Sequence, residues 1–314
     1  MTLSLLVKSI TFEAEDVISL DLRPAESAPL PGFTAGSHID LSLGNGLSRS
    51  YSLANPQTET HRYVVGVQRD AASRGGSHFV HEAVRVGQVI EASEPRNNFP
   101  LVEDAAETIL IAGGIGITPL WCMAQRLQAL GRNWRLYYAV RSRRRAAFLD
   151  RIAALAANAL HLHADDEQGG RIFDLGPVVV AAGPDAQFYC CGPLPMLAAF
   201  EAATAALPPE TVHVEYFSPR EPVAAAGGFD IVLARSGVTL RVAEGQTILD
   251  TLRLNGIEAP HSCLEGVCGT CETTVLDGIP DHHDSVLSAR ERASNKTMMI
   301  CCSGCLGGRL VLDL

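Results

Sequence analysis

Between Pro260 and Cys271 the chain reads PHSCLEGVCGTC, and this run of cysteines constrains it more than any other stretch. Cys263, Cys268 and Cys271 stand in a C-x4-C-x2-C pattern, and Cys301 follows after 29 intervening residues. That is the plant-type ligand spacing of a [2Fe–2S] cluster. Two irons bridged by sulfide take four thiolates. Three can come from one wrapping loop, with the fourth closing the site from a distant segment. Gly266 and Gly269 lie inside the loop, where a missing Cβ lets backbone N–H groups approach sulfur. Such hydrogen bonds, with burial, tune a cluster's potential.

Two other arrangements use the same residues. Cys268-x2-Cys271 with Cys302-x2-Cys305 could form the two knuckles of a zinc site, which leaves Cys263 and Cys301 without work. Disulfides fit poorly with nine cysteines and no secretory signal.

A chain of 314 residues makes two or three domains, and 47% hydrophobic with 19% charged residues gives it real cores. The N-terminus, MTLSLLVKSITFEAED, is too short in apolar residues for a signal peptide. No run approaches 18 apolar residues, so no membrane span is expected and a reduced cytoplasm is the expected location. A net charge of −10 argues against nucleic acid and suits docking to a basic partner surface, or simple solubility.

Residues 1–103 alternate apolar and polar in short runs, as in Val17–Leu22, His38–Leu43 and Arg62–Val67, divided by Gly, Pro and Asn turns. This predicts an antiparallel β-barrel. Within it, Arg49-Ser50-Tyr51-Ser52 offers a cation and two hydroxyls for a phosphate, and an aromatic face for a flat ring. Arg74-Gly75-Gly76-Ser77 precedes HFVHEAV, where glycines before a helix start would turn N–H groups toward an anion.

Residues 104–222 alternate strand and helix. Thr108–Ala112 runs into GGIGITP, followed by a periodic segment from Leu120 to Leu130. Strand, glycine turn and helix make a dinucleotide unit, with Gly113, Gly114 and Gly116 near a pyrophosphate. Further strands at Trp134–Val140 and Phe188–Cys191, with helices at Ala146–Leu155 and Met196–Ala206, predict a doubly wound parallel α/β sheet. Arg141-Ser142-Arg143-Arg144-Arg145 follows the second strand, where arginines can hold a 2′-phosphate and so favour NADPH. A small-residue linker is expected at 223–228, and residues 229–314 read as a β-grasp ferredoxin domain with a helix over Thr247–Leu254.

RSYSLAN, GVQRD, RGGSHFVHE, AGGIGITP, CCGPLPM and the cysteine run, in this order, resemble the phthalate dioxygenase reductase family of the ferredoxin–NADP reductase superfamily. The resemblance covers the whole chain. It implies FMN held by Arg49, Ser50, Tyr51 and Ser52, by Gly66, Val67 and Gln68, and by Arg74, Gly75, Gly76 and Ser77. Thr118 would reach the flavin and Phe217, or Tyr216 in its place, would cover it. Cys191, Gly192 and Pro193 would lie beside the nicotinamide, with Arg141 toward the adenosine, and NADH is the implied donor. The cluster ligands would be Cys263, Cys268, Cys271 and Cys301, where the family usually reads C-V-S-R-A and this chain has Cys301-Cys302-Ser303-Gly304-Cys305. The implied role is the reductase component of a Rieske-type aromatic dioxygenase or O-demethylase. A stand-alone flavin reductase is the other reading.

Overall fold

The computed structural model describes residues 2–26, 28–44, 46–71, 73–220 and 227–314, so most of the expected linker at 223–228 lies outside the described residues. The chain divides into two compact units, Met1–Phe217 and Ser218–Leu314.

The first unit opens with six antiparallel strands: β1 (Thr2–Ala14), β2 (Val17–Pro24), β3 (His38–Ser42), β4 (Ser48–Ser52), β5 (Tyr63–Gln68) and β6 (Val89–Ser93). Their order is β4-β3-β6-β1-β2-β5, and a Leu53–Val65 bridge joins the two edges into a barrel. Leu20 and Leu22, Ile39 and Leu41, and Val65 and Val67 recur every second residue and are fully or almost fully buried, the period of a strand's inward face. Helix α1 (Gly76–Ala83) follows β5.

Five parallel strands come next: β7 (Glu107–Gly113), β8 (Trp134–Val140), β9 (Leu160–Ala164), β10 (Ala186–Cys191) and β11 (Val212–Glu215), in the order β11-β10-β7-β8-β9. The order reverses direction between β10 and β7, and a ligand crevice opens at such a point. The connecting helices are α2 (Ile117–Ala129), α3 (Leu149–Ala156), α4 (Gly176–Ala181) and α5 (Leu194–Thr204). Helix α2 starts three residues earlier than expected, because Pro119 fits a first helical turn, where its missing N–H has no partner to lose. Helix α3 starts later than expected, because Phe148 takes the left-handed conformation at φ 59° and interrupts the turn before it. One continuous core runs from Leu5 and Ile39 of the barrel to Leu110, Trp121 and Tyr189 of the parallel sheet.

The second unit is a mixed sheet, β13-β12-β18-β14-β16, beside a short β15–β17 pair. Its strands are β12 (Phe229–Leu233), β13 (Val238–Val242), β14 (Glu272–Asp277), β15 (Pro280–Asp281), β16 (Thr297–Met299), β17 (Gly304–Cys305) and β18 (Arg309–Leu312). Helices α6 (Ile248–Leu254) and α7 (Ala289–Ser294) each begin with a capping box, Thr247 with Asp250 and Ser288 with Glu291. Ile231, Ile248, Leu252, Met298 and Leu310 form a separate core.

Candidate flavin, nucleotide and cluster sites

Arg49 comes from β4 and lies across the start of α1. A Cβ built on Gly76 would stand 2.7 Å from Arg49 Cγ and 2.8 Å from its Nε. The guanidinium donates to the Ser48 carbonyl at 2.7 Å and the Arg74 carbonyl at 3.5 Å. No side chain caps α1, whose preceding Gly75 takes φ 93°. An uncapped helix start beside a guanidinium suits a phosphate, so the residues fit the FMN phosphate. Ser77 Oγ accepts from the Asp70 N–H at 3.2 Å. Ser50 Oγ donates to Asp40 at 2.5 Å, which ties that hydroxyl to the barrel, while Tyr51 stays half-buried. Gly66 is held by a neighbour: a Cβ there would lie 2.7 Å from Thr118 Cγ2 and 3.3 Å from the Phe148 ring. Val67 is buried and its carbonyl meets His81 Nε2 at 3.0 Å, while Gln68 is half-buried.

At the crevice, the two expected nucleotide turns pack backbone on backbone. A Cβ on Gly116 would stand 2.2 Å from the Cys191 carbonyl oxygen, and one on Gly113 would stand 2.6 Å from Pro193. Gly192 has Gly113 Cα at 3.0 Å from its own built Cβ. Only Gly114, at φ +53°, faces open space. Two of the three glycines therefore serve the contact between turns, and one presents backbone outward. Thr118 is buried and its Oγ1 donates to the Ile115 carbonyl at 3.0 Å. Burial pushes the Cys191 and Cys190 thiols well above their ordinary range, so both stay protonated. Cys122 is core, as its helix position predicts. Tyr216 is buried among Ile109, Phe188 and Leu197, whereas Phe217 is 39% exposed.

Sequence reasoning missed Glu215, the last residue of β11. Its Oε2 is sealed from solvent and has no hydrogen-bond partner, although other parts of the residue keep some exposure. Burial raises its pKa to about 8, and the nearby Ser52 hydroxyl works in the opposite direction. It also lies close enough to Cys191 to act on that thiol. A lone carboxylate in VHVEYF, at the carboxyl end of a strand, was the available signal.

In the second unit the four expected thiols are buried and touch in pairs. Cys268 and Cys301 lie beside Cys263 and draw its thiol well below the ordinary range, and Cys301 also lies beside Cys271. The Glu265 N–H points at Cys263 Sγ at 3.3 Å and Thr270 Oγ1 lies 3.1 Å from Cys268 Sγ. Leu264, Gly266 and Gly269 all take positive φ, which curls the loop. A Cβ on Gly266 would meet Cys302 Sγ at 2.5 Å and Asp284 Cα at 3.0 Å, so only glycine lets the loop seat. Among the described residues no three His, Cys, Asp or Glu side chains close round a single metal ion. Cys305 is half-buried on β17, paired with Pro280. Thiols in contact, with N–H groups turned toward sulfur, fit a [2Fe–2S] cluster.

Barrel, dinucleotide sheet and iron–sulfur unit in one chain define a pyridine-nucleotide-dependent iron–sulfur flavoprotein reductase. Residues 231–305 match the 2Fe-2S iron-sulfur cluster binding domain and residues 110–202 the oxidoreductase NAD-binding domain. The chain is 53% identical to phenoxybenzoate dioxygenase subunit beta of Ectopseudomonas oleovorans, over 99% of this chain and 97% of that one. It is 52% identical to tetrachlorobenzoquinone reductase of Sphingobium chlorophenolicum, over 100% and 98%. The solved phthalate dioxygenase reductase, described as a modular structure for electron transfer from pyridine nucleotides to [2Fe-2S], superposes with a TM-score of 0.74 at 37% identity, covering 100% of this chain and 98% of that one.

The chain belongs to the phthalate dioxygenase reductase family. It is an oxidoreductase whose cofactors are FMN and a [2Fe–2S] cluster, with NADH as electron donor. No helix among the described residues is long and apolar enough to cross a membrane.

Proposed function

We propose that this chain is the NADH-dependent reductase of a Rieske-type oxygenase acting on an aromatic compound in the cytoplasm. The observation that carries the reading is the presence, in one chain, of a nucleotide turn packed on Cys191 and a separate nest of four buried thiols. The partner is supported by relatives that are by name a dioxygenase subunit and a vanillate O-demethylase oxidoreductase. We assign residues 1–103 to flavin, 104–222 to nucleotide, 223–228 to the linker and 229–314 to the cluster.

When bound, NADH supplies electrons in pairs, FMN accepts a pair and releases electrons singly, and the cluster carries them one at a time. Arg49 and the N–H groups of Gly76 and Ser77 would hold the FMN phosphate, with Gly75, whose N–H donates to Ser73 Oγ at 3.2 Å, shaping the turn and Arg74 at the rim. Tyr51, Ser52, Gly66, Val67 and Gln68 line the ring, Thr118 backs it and Phe217 covers it. Gly114 turns its backbone to the pyrophosphate, while Gly113 and Gly116 seat that turn on Cys191, Gly192 and Pro193. The uncharged Cys191 thiol borders the nicotinamide without adding charge. Glu215 holds a proton at neutral pH beside Ser52, where it can stabilise a gain of electrons. Cys263, Cys268, Cys271 and Cys301 ligate the cluster.

The test is anaerobic spectroscopy of the purified holoprotein with NADH, followed by addition of a Rieske oxygenase. Bleaching of flavin and cluster bands, then reduction of the Rieske centre in electron paramagnetic resonance, is the expected result. Reduction that stops within the chain would sink the partner assignment.

The quinone reductase relative, at 52% identity, favours a second reading in which the chain reduces quinones by itself. Turnover of a halogenated quinone that survives Cys271→Ser would favour it.

A further inference from the structure

Strands β7, β8 and β9 are parallel and in register, with Gly113 opposite Ala139 and Val140 opposite Ala164. Three turns therefore line up along one edge of the sheet: Gly113–Gly116, Arg141–Arg145 and the turn Asp165–Gln168. A dinucleotide with its pyrophosphate on the first turn and its nicotinamide toward Cys191 extends its adenosine ribose across the end of β8. Four arginines in five residues at that place look like a ready seat for a 2′-phosphate.

The ion pairs remove most of that seat. Arg144 meets Glu15 at 2.8 Å, and Arg145 meets Glu15 at 2.5 Å and Asp16 at 3.0 Å, so both are turned to the barrel. Arg143 grips Glu167 with both prongs, Nε to Oε1 at 2.8 Å and Nη2 to Oε2 at 3.1 Å. Arg141 stays exposed, and its carbonyl accepts the Asp166 N–H at 3.2 Å, which draws the acidic turn alongside. A 2′-phosphate arriving here meets Asp165, Asp166 and Glu167 against Arg141 and an already engaged Arg143. A 2′-hydroxyl brings no charge to repel and can donate to a carboxylate.

We propose that the Arg143–Glu167 pair, set in the acidic turn at the end of β9, makes this chain select NADH over NADPH. The proposal rests on the nucleotide reading given above and adds the residues that set donor choice.

The test uses the full-length, cofactor-loaded protein. Efficiency with NADH and NADPH is measured by kcat/KM, and binding of 5′-AMP and 2′,5′-ADP by calorimetry. Glu167→Gln should raise the NADPH-to-NADH efficiency ratio about 10-fold, mostly through KM, and tighten 2′,5′-ADP relative to 5′-AMP. Adding Arg143→Gln should abolish both gains. Both side chains are well exposed, at 58% and 45%, so the fold does not depend on them. A ratio within about twofold of wild type in Glu167→Gln, or a gain that survives loss of Arg143, would overturn the proposal. Failure of the wild-type chain to oxidise NADH would instead overturn the function it rests on.

Discussion

Ser52, at the end of a barrel strand, lies beside the carboxyl of Glu215, at the end of the last strand of the parallel sheet. That carboxyl is buried, and burial raises its pKa from 4.5 to about 8. From pH 4.5 to 8 the folded chain keeps a proton that the unfolded chain has lost, so this group's contribution to stability declines as pH rises through that window. Glu215→Gln removes the dependence. Its thermal midpoint should gain on wild type between pH 5 and pH 8, in a differential scanning fluorimetry series of about seven pH values. Parallel curves for the two proteins would refute a buried, protonated Glu215.

The two nucleotide turns set a second test. Gly116→Ala forces a methyl group to within 2.2 Å of a backbone oxygen, whereas Gly114→Ala meets nothing within 4 Å and strains only φ. Urea unfolding of Gly116→Ala should show a loss of about 3 kcal/mol or more. Gly114→Ala should lose about 1 kcal/mol. The reverse ranking would mean that the turns do not touch.

Iron analysis separates ligands from bystanders. Cys263, Cys268, Cys271 and Cys301 contact one another, while Cys305 sits on its own strand. Cys271→Ser should lose most bound iron and the reduced-cluster paramagnetic signal, yet keep its flavin. Cys305→Ser should keep two irons per chain. Equal loss in both variants would return the zinc-knuckle arrangement to contention.

Arg49 crosses the start of α1 and supplies the charge for the phosphate there. Arg49→Gln should weaken FMN by about 10- to 100-fold, the size of one charge-assisted hydrogen bond. Equilibrium dialysis of the apoprotein measures this, and cluster content serves as the internal control. Unchanged flavin affinity would place the phosphate elsewhere.

Short-range pattern was readable in the sequence and long-range pairing was not. The C-x4-C-x2-C loop and the alternation of Ile39 with Leu41 or Leu20 with Leu22 are local signals, because a strand or loop writes its period into adjacent residues. Glu215 gave only an odd carboxylate in an apolar strand, because its depth depends on the barrel packed above it. RSRRR read as a phosphate seat because Glu15 and Asp16 lie some 130 residues away in the chain, and Glu167 sits across a helix and a strand. Helix starts at Ile117 and Leu149 moved with Pro119 and with the left-handed Phe148, both tertiary choices.

The barrel and parallel sheet draw on one core, whereas the iron–sulfur unit closes its own and caps both of its helices internally. For recombination this is an asymmetry. A cut between barrel and sheet would open Leu5, Trp121 and Tyr189 to water at once, and both fragments would need repair together. A cut near Ser218 leaves the core of Ile231, Leu252 and Leu310 whole, so the iron–sulfur unit is the part to move between chains as a cassette.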